Sequence, residues 1–261
     1  MTKQNRMAIF DPSMKGSIHL EKKEGIAKIC FGHPQGNSVP PELLDQLTSL
    51  LVQAENDTHV RVVILASKGE GAFCAGASLH ALKDVKTLEQ GTAFFMGFAR
   101  LINTIRKMTK FVIARVHGRV VGGGVGLVAA CDYAFANEKA AIKLSELSIG
   151  IGPYVIEPAV SRKIGVTAFT QLSLDSKTWK SASWATEKGL YSHLSNDTEA
   201  LDAALNEKAM LFASYAPEAC KALRKLHWKD TDHWEKLLPK NAEITAKLAL
   251  SDFTQNFIKS L

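Results

Sequence analysis

The sequence predicts an α/β fold with a helical C-terminal part. Three observations carry that reading. Two short apolar runs rich in β-branched residues, VRVVILAS (60 to 67) and FVIARV (111 to 116), suit strands buried on both faces. Stretches with helical spacing alternate with them, the pattern of a parallel sheet covered by helices. From about residue 197 onward the text is helical, so a boundary near Ser195-Asn196-Asp197 divides a first region, 1–196, from a helical region, 197–261.

Taken in order, SIHLEKKEGIAKICF reads as a hairpin turning at Lys23-Glu24-Gly25. VPPELLDQLTSLLVQAEND then places Leu43, Leu44, Leu47, Leu50, Leu51 and Ala54 on one helical face, with prolines at its start. After the strand 60 to 67 comes a glycine-rich loop, KGEGAFCAGAS. A helix over about 91 to 108 carries Phe94, Phe95, Phe98, Leu101, Ile102 and Ile105. The strand 111 to 116 leads into His117-Gly118 and then a second glycine stretch, VVGGGVGLVAACD. DYAFAN and AAIKLSEL continue the alternation, and DTEALDAALNEKAMLFASY, PEACKALRKLHWK and NAEITAKLALSDFTQNFIKSL are helical.

Composition excludes several classes. With 46% hydrophobic content, 261 residues bury a sizeable core. No stretch approaches the roughly 20 apolar residues that span a bilayer. MTKQNRMAIF lacks the apolar centre of a secretory signal, so a cytoplasmic protein without membrane contact is expected. Cys30, Cys74, Cys131 and Cys220 show no CxxC or metal spacing and read as reduced thiols. The eight histidines form no ligand pattern, and no metal is expected. A net charge of +6 is spread without a basic block, which argues against nucleic acid and suits a phosphorylated small ligand.

The glycines pose the sharper question. GVGLVA (124 to 129) matches G-x-G-x-x-A, with Glu146 following at about the spacing of a ribose-binding acid. Several residues separate it from the strand ending at Val116, however, and a dinucleotide fingerprint needs a strand feeding directly into the turn. A second loop, FCAGAS (73 to 78), also follows a buried strand. Two such loops, each with bare backbone N–H groups, can converge on one oxygen as an oxyanion hole.

AFCAGASL, HGRVVGGGVGLVAACD and LSELSIGIGP, in that order, resemble the crotonase (enoyl-CoA hydratase/isomerase) superfamily. GNSVPPELLDQL and KSASWATEKGL extend the likeness over most of the chain. The resemblance implies a crotonase-like spiral of ββα units with a helical C-terminal trimerisation region. It implies trimers or dimers of trimers, acyl-CoA thioester substrates, and no cofactor beyond the substrate's own coenzyme A. Matched motif to motif, it assigns the oxyanion donors to the N–H groups of Ala77 and Gly123 and the acid–base to Glu146. Cys74, Ala75, Gly76 and Gly122 would contact substrate, HPQGNS (33 to 38) would line the coenzyme path, and Lys259 would meet its phosphates.

The chain departs from the family's hydratases at one point: the first of their two glutamates is Gly126 here. Tyr154 and Glu157 are the candidates for a second polar group, Glu157 being read first as a cap for the helix PAVSRKIG. One carboxylate suffices for a Δ3–Δ2 isomerase. SELSIGIGPYVIEPAV, in turn, is similar to the methylglutaconyl-CoA hydratase-like branch. The sequence reading leans to a short- or branched-chain hydratase, with isomerase and a silent acyl-CoA-binding homologue as alternatives. Asp132 is expected to serve the fold.

Overall fold

The computed structural model describes residues 16–260. The N-terminal stretch on which the secretory-signal argument rests lies outside them. The chain starts with β1 (Ser17–Lys23) and β2 (Ile26–Gly32), an antiparallel pair. Glu24 and Gly25, at φ 51° and 78°, make the two-residue turn between them, a conformation whose twist matches that of the strands. Helix α1 (Pro41–Asn56) leads to β3 (Val62–Ser67), which lies parallel to β2. A short α2 (Leu79–Leu82) precedes α3 (Leu88–Lys107).

Helix α3 begins three residues before the sequence expectation. Thr87 Oγ1 accepts from the Gln90 N–H and Gln90 Oε1 accepts from the Thr87 N–H, each at 3.2 Å, a reciprocal capping box. Then come β4 (Phe111–Val116), β5 (Val120–Val121), α4 (Gly123–Ala130), β6 (Tyr133–Asn137) and β7 (Ile142–Lys143). Helix α5 (Glu157–Leu174) is interrupted at Gly165, whose φ of 79° is not helical. It is followed by α6 (Ala182–Glu187), β8 (His193–Ser195), α7 (Thr198–Ser214), α8 (Pro217–His227), α9 (Trp234–Ala249) and α10 (Asp252–Ser260).

The main sheet runs β1-β2-β3-β4-β6-β8, parallel throughout except for β1 against β2, and β5 pairs with β7 in a small parallel sheet of its own. Alternation along the strands sends Val63, Leu65, Val112, Ala114 and Val116 to a core shared with α1 and α3. Val62, Ile64, Ile113 and Phe135 face the other way, onto Leu201, Leu205 and Ala209 of α7. Among the C-terminal helices, α7 covers one face of the sheet directly, and α9 packs on the outside of α3 so tightly that a Cβ on Gly91 would lie 2.9 Å from Ala246 Cβ. No helix among the described residues is long and apolar enough to cross a membrane.

Candidate active site

The two glycine loops meet. Cys74, in the loop after β3, pairs with β5: the Phe73 and Cys74 N–H groups donate to Arg119 O, and Val121 N–H donates to Cys74 O at 2.8 Å. A third segment braces them, because Ala75 N–H donates to Gly36 O and the Asn37 amide donates to Lys68 O and Ala72 O. Inside the loop, Gly76 N–H approaches the buried Cys74 Sγ at 3.4 Å. Desolvation pushes that thiol up to about 12, so it packs as a neutral group. Gly76, at φ 86°, lies so close to the second loop that a Cβ there would stand 2.9 Å from Val121 O and 3.4 Å from Gly123 N. Ala77 and Gly123 line one pocket, and among the described residues neither N–H donates a hydrogen bond within the chain.

Helix α4 explains its own glycines. All eight residues are buried, and four different groups press on the bare α-carbons. A Cβ on Gly122 would stand 2.9 Å from Glu146 Oε1; one on Gly123, 2.5 Å from the Phe98 ring; one on Gly124, 2.8 Å from Cys74 Cβ; one on Gly126, 2.3 Å from Ile156 Cγ2. Contacts that short are not sustained by real side chains in a packed interior. β5 stands between β4 and this helix, so the strand-to-turn junction of a dinucleotide site is absent here.

Glu146 opens a 3-10 turn, Glu146–Ile149, which the Ile142–Lys143 strand feeds and Gly150 (φ 87°) ends. The residue is half-buried, but its Oε2 is sealed from solvent and has no hydrogen-bond partner among the described residues. Desolvation raises the carboxyl to about 7, with its own backbone N–H offsetting a part. Behind the turn sits α10, with Thr254 and Phe253 against Gly150.

The remaining lining is apolar: Leu82, Phe95 and Phe98 on one side, Ile149, Ile151, Val155 and Ile156 on another. Ser145 and Thr245 are its other polar side chains among the described residues. The Thr245 hydroxyl donates to Asn241 O within α9, and the Asn241 amide in turn ties α9 to Tyr154 O at 2.8 Å. Of the residues singled out from sequence, Ala75, Gly76, Ala77, Gly122, Gly123 and Glu146 come together in the lining, while Cys74 lies behind it. Tyr154 and Glu157 are outside it. Tyr154 is 39% exposed, with its ring against Gly152. Glu157 does not make the expected cap: Ile156 holds the cap position with no side-chain bond, and Glu157 is the first residue inside α5. The chain already turns one residue earlier, since Glu157 N–H donates to Pro153 O at 2.9 Å. Lys259 is exposed on α10.

Asp132 is taken up by the fold. Its carboxylate accepts from Arg224 Nε at 2.9 Å, Val112 N–H at 2.8 Å and Trp228 Nε1 at 3.2 Å. Ser145, Ile156, Phe98 and Thr245 escaped sequence reasoning. Only Ser145, adjacent to Glu146, carried a local signal.

A family description for enoyl-CoA hydratase/isomerase matches residues 21–259. A short-chain-enoyl-CoA hydratase of Clostridium acetobutylicum is 30% identical over 207 residues, 78% of each chain. The crystal structure of an enoyl-CoA hydratase from Bacillus anthracis superimposes with a TM-score of 0.76 at 26% identity, covering 87% of this chain and 89% of that one. One from Bacillus halodurans reaches a TM-score of 0.87 at 20% identity over 94% and 99%, a likeness of fold. With its fold, its paired glycine loops and this match over nearly the full length, the chain belongs to the enoyl-CoA hydratase/isomerase family of the crotonase superfamily.

Proposed function

We propose that the pocket holds the acyl part of an unsaturated acyl-CoA thioester, with the carbonyl oxygen on the Ala77 and Gly123 N–H groups and Glu146 moving the proton. What carries this reading is one arrangement: a single carboxyl, raised to about 7 and unpartnered at Oε2, shares an apolar pocket with two unengaged N–H groups. The ionised carboxylate takes a proton from the α-carbon, and the electron pair delocalises onto the thioester oxygen. Two fixed donors stabilise that charge without reorganising, each worth about 3 kcal/mol in comparable sites. Gly123 adds the N-terminal dipole of α4.

The geometry favours returning the proton to the γ-carbon, a Δ3 to Δ2 double-bond shift that one carboxyl completes alone. Neither Tyr154 nor Glu157 lines the pocket, so no second ionisable side chain among the described residues is there to hold water. Hydration is the second reading. It is favoured by the similarity to the Clostridium hydratase and by the Ser145 hydroxyl next to Glu146. In it, Glu146 accepts a proton from water as its oxygen adds to the β-carbon and passes the proton to the α-carbon. Methylglutaconyl-CoA belongs to this reading as a substrate candidate, and assembly into trimers or dimers of trimers belongs to both.

The test is spectrophotometric turnover of a 3-enoyl-CoA, crotonyl-CoA and 3-methylglutaconyl-CoA by the wild type and Glu146→Gln. Loss of the 3-enoyl-CoA reaction in the variant is expected. Conversion of crotonyl-CoA alone by the wild type selects hydration. Binding of all three without any turnover marks a silent acyl-CoA holder.

A further inference from the structure

Gly122 caps α4 and Gly126 lies inside it, and each leaves its α-carbon bare to a neighbour. The Glu146 carboxylate rests over the first and the branched side chain of Ile156 over the second. Both residues line the pocket. Ile156 thus contributes hydrocarbon to the same pocket that holds the carboxylate. Ile156 is 3% exposed and sits on the bend that enters α5, a backbone the Glu157-to-Pro153 bond holds in place.

We infer that Ile156 is the residue that sets this site's reaction, by occupying the space beside Glu146 where an attacking water would stand. The inference rests on the reading of Glu146 as the group that moves the proton. A water bound next to a catalytic carboxyl needs about 30 Å³ and two or more polar partners. Glu146 Oε2, without a partner among the described residues, is one, and Ser145 lines the same pocket with a hydroxyl to offer. The space is what Ile156 withholds. Shortening Ile156 to alanine removes three carbons from that spot and leaves both polar groups in place. The Gly126–Ile156 contact also makes the two positions interdependent: no side chain grows at 126 while isoleucine holds 156.

The experiment measures hydration of crotonyl-CoA and, separately, deuterium uptake at the α-carbon of butyryl-CoA in D2O. The proteins are wild type, Ile156→Ala and Ile156→Thr, the last keeping the branched shape while offering water a hydroxyl. Circular dichroism and melting establish that each is folded. Hydration kcat/KM is expected to rise about tenfold or more in Ile156→Ala and to rise in Ile156→Thr. Hydration that is unchanged or lower in both folded variants overturns the inference, whatever α-exchange does. Absence of α-exchange in the wild type, or exchange insensitive to Glu146→Gln, overturns instead the reading of Glu146.

Discussion

Replacing Glu146 by glutamine should abolish the chemistry and, at alkaline pH, make the protein more stable. The carboxyl is moved by burial from 4.5 to about 7, and each pH unit of such a displacement corresponds to about 1.4 kcal/mol. The raised value means that the folded chain holds this proton over a range where the unfolded chain has released it. Stability therefore falls as pH rises from about 4.5 to about 7, and the loss is complete above the folded value. Between pH 5 and pH 8 the wild type should lose about 2 to 3 kcal/mol from this group. Glutamine, neutral throughout, loses none of it. Urea unfolding of both proteins at pH 5, 6, 7 and 8 reads the difference as a gap in midpoint that widens with pH. Activity runs the other way, because the base is the ionised form, so the wild-type rate should fall as pH drops below about 7. If the glutamine variant follows the wild type's pH dependence across that window, burial is not raising this carboxyl and the argument for a poised base fails.

Substitutions at three further positions probe the same architecture. Gly123→Pro and Gly123→Ala both push on the Phe98 ring, but only proline deletes the N–H, at a first helical position that accepts it. A kcat about 10²-fold lower in the proline variant than in the alanine variant is expected for an oxyanion donor, and equal rates would remove that role. Gly126→Ala places a methyl 2.3 Å from Ile156 Cγ2 and 2.5 Å from Ile156 Cβ and should destabilise by about 1 to 3 kcal/mol, most of it recovered in the double variant with Ile156→Gly, which removes both atoms, as a four-protein urea cycle would read. Asp132→Asn leaves Arg224, 1% exposed, without its counter-charge and should cost about 3 to 5 kcal/mol in the same measurement, with the α-proton chemistry of surviving folded protein intact.

Legibility in the sequence tracked how local each signal was. The strands β3 and β4, the Glu24-Gly25 turn and both glycine loops were legible because β-branched runs and glycine punctuation act within a few residues. The start of α3 is equally local, since Thr87-Leu88-Glu89-Gln90 spells a capping box, whereas the hydrophobic periodicity begins only at Phe94. What stayed hidden was long-range. That Ile156 covers Gly126, that Phe98 covers Gly123 and that Thr245 of α9 reaches the pocket depend on how distant segments stack. The expectation for Glu157 failed for a related reason: an acid before proline reads as a cap, but the bend at 153 to 156 starts the helix one residue sooner.

Helix α4 has no amphipathic face, and at eight residues it is too short to persist on its own. Its glycines lower its helical preference further. Such an element is stable only because the surrounding fold covers it on every side, and its value lies in what its backbone lets come near. The carboxylate, the aromatic wall, the thiol-braced loop and the isoleucine each take one glycine. It follows that substitutions along this one helix should fail in different ways: at Gly122 the acid is displaced, at Gly123 the pocket wall, at Gly124 the brace between the loops. At Gly126 the nearest atoms all belong to Ile156, so hydrocarbon of the pocket wall is displaced. On the proposed reading, the helix thus leaves the choice of what else reaches Glu146 to a side chain about thirty residues further on.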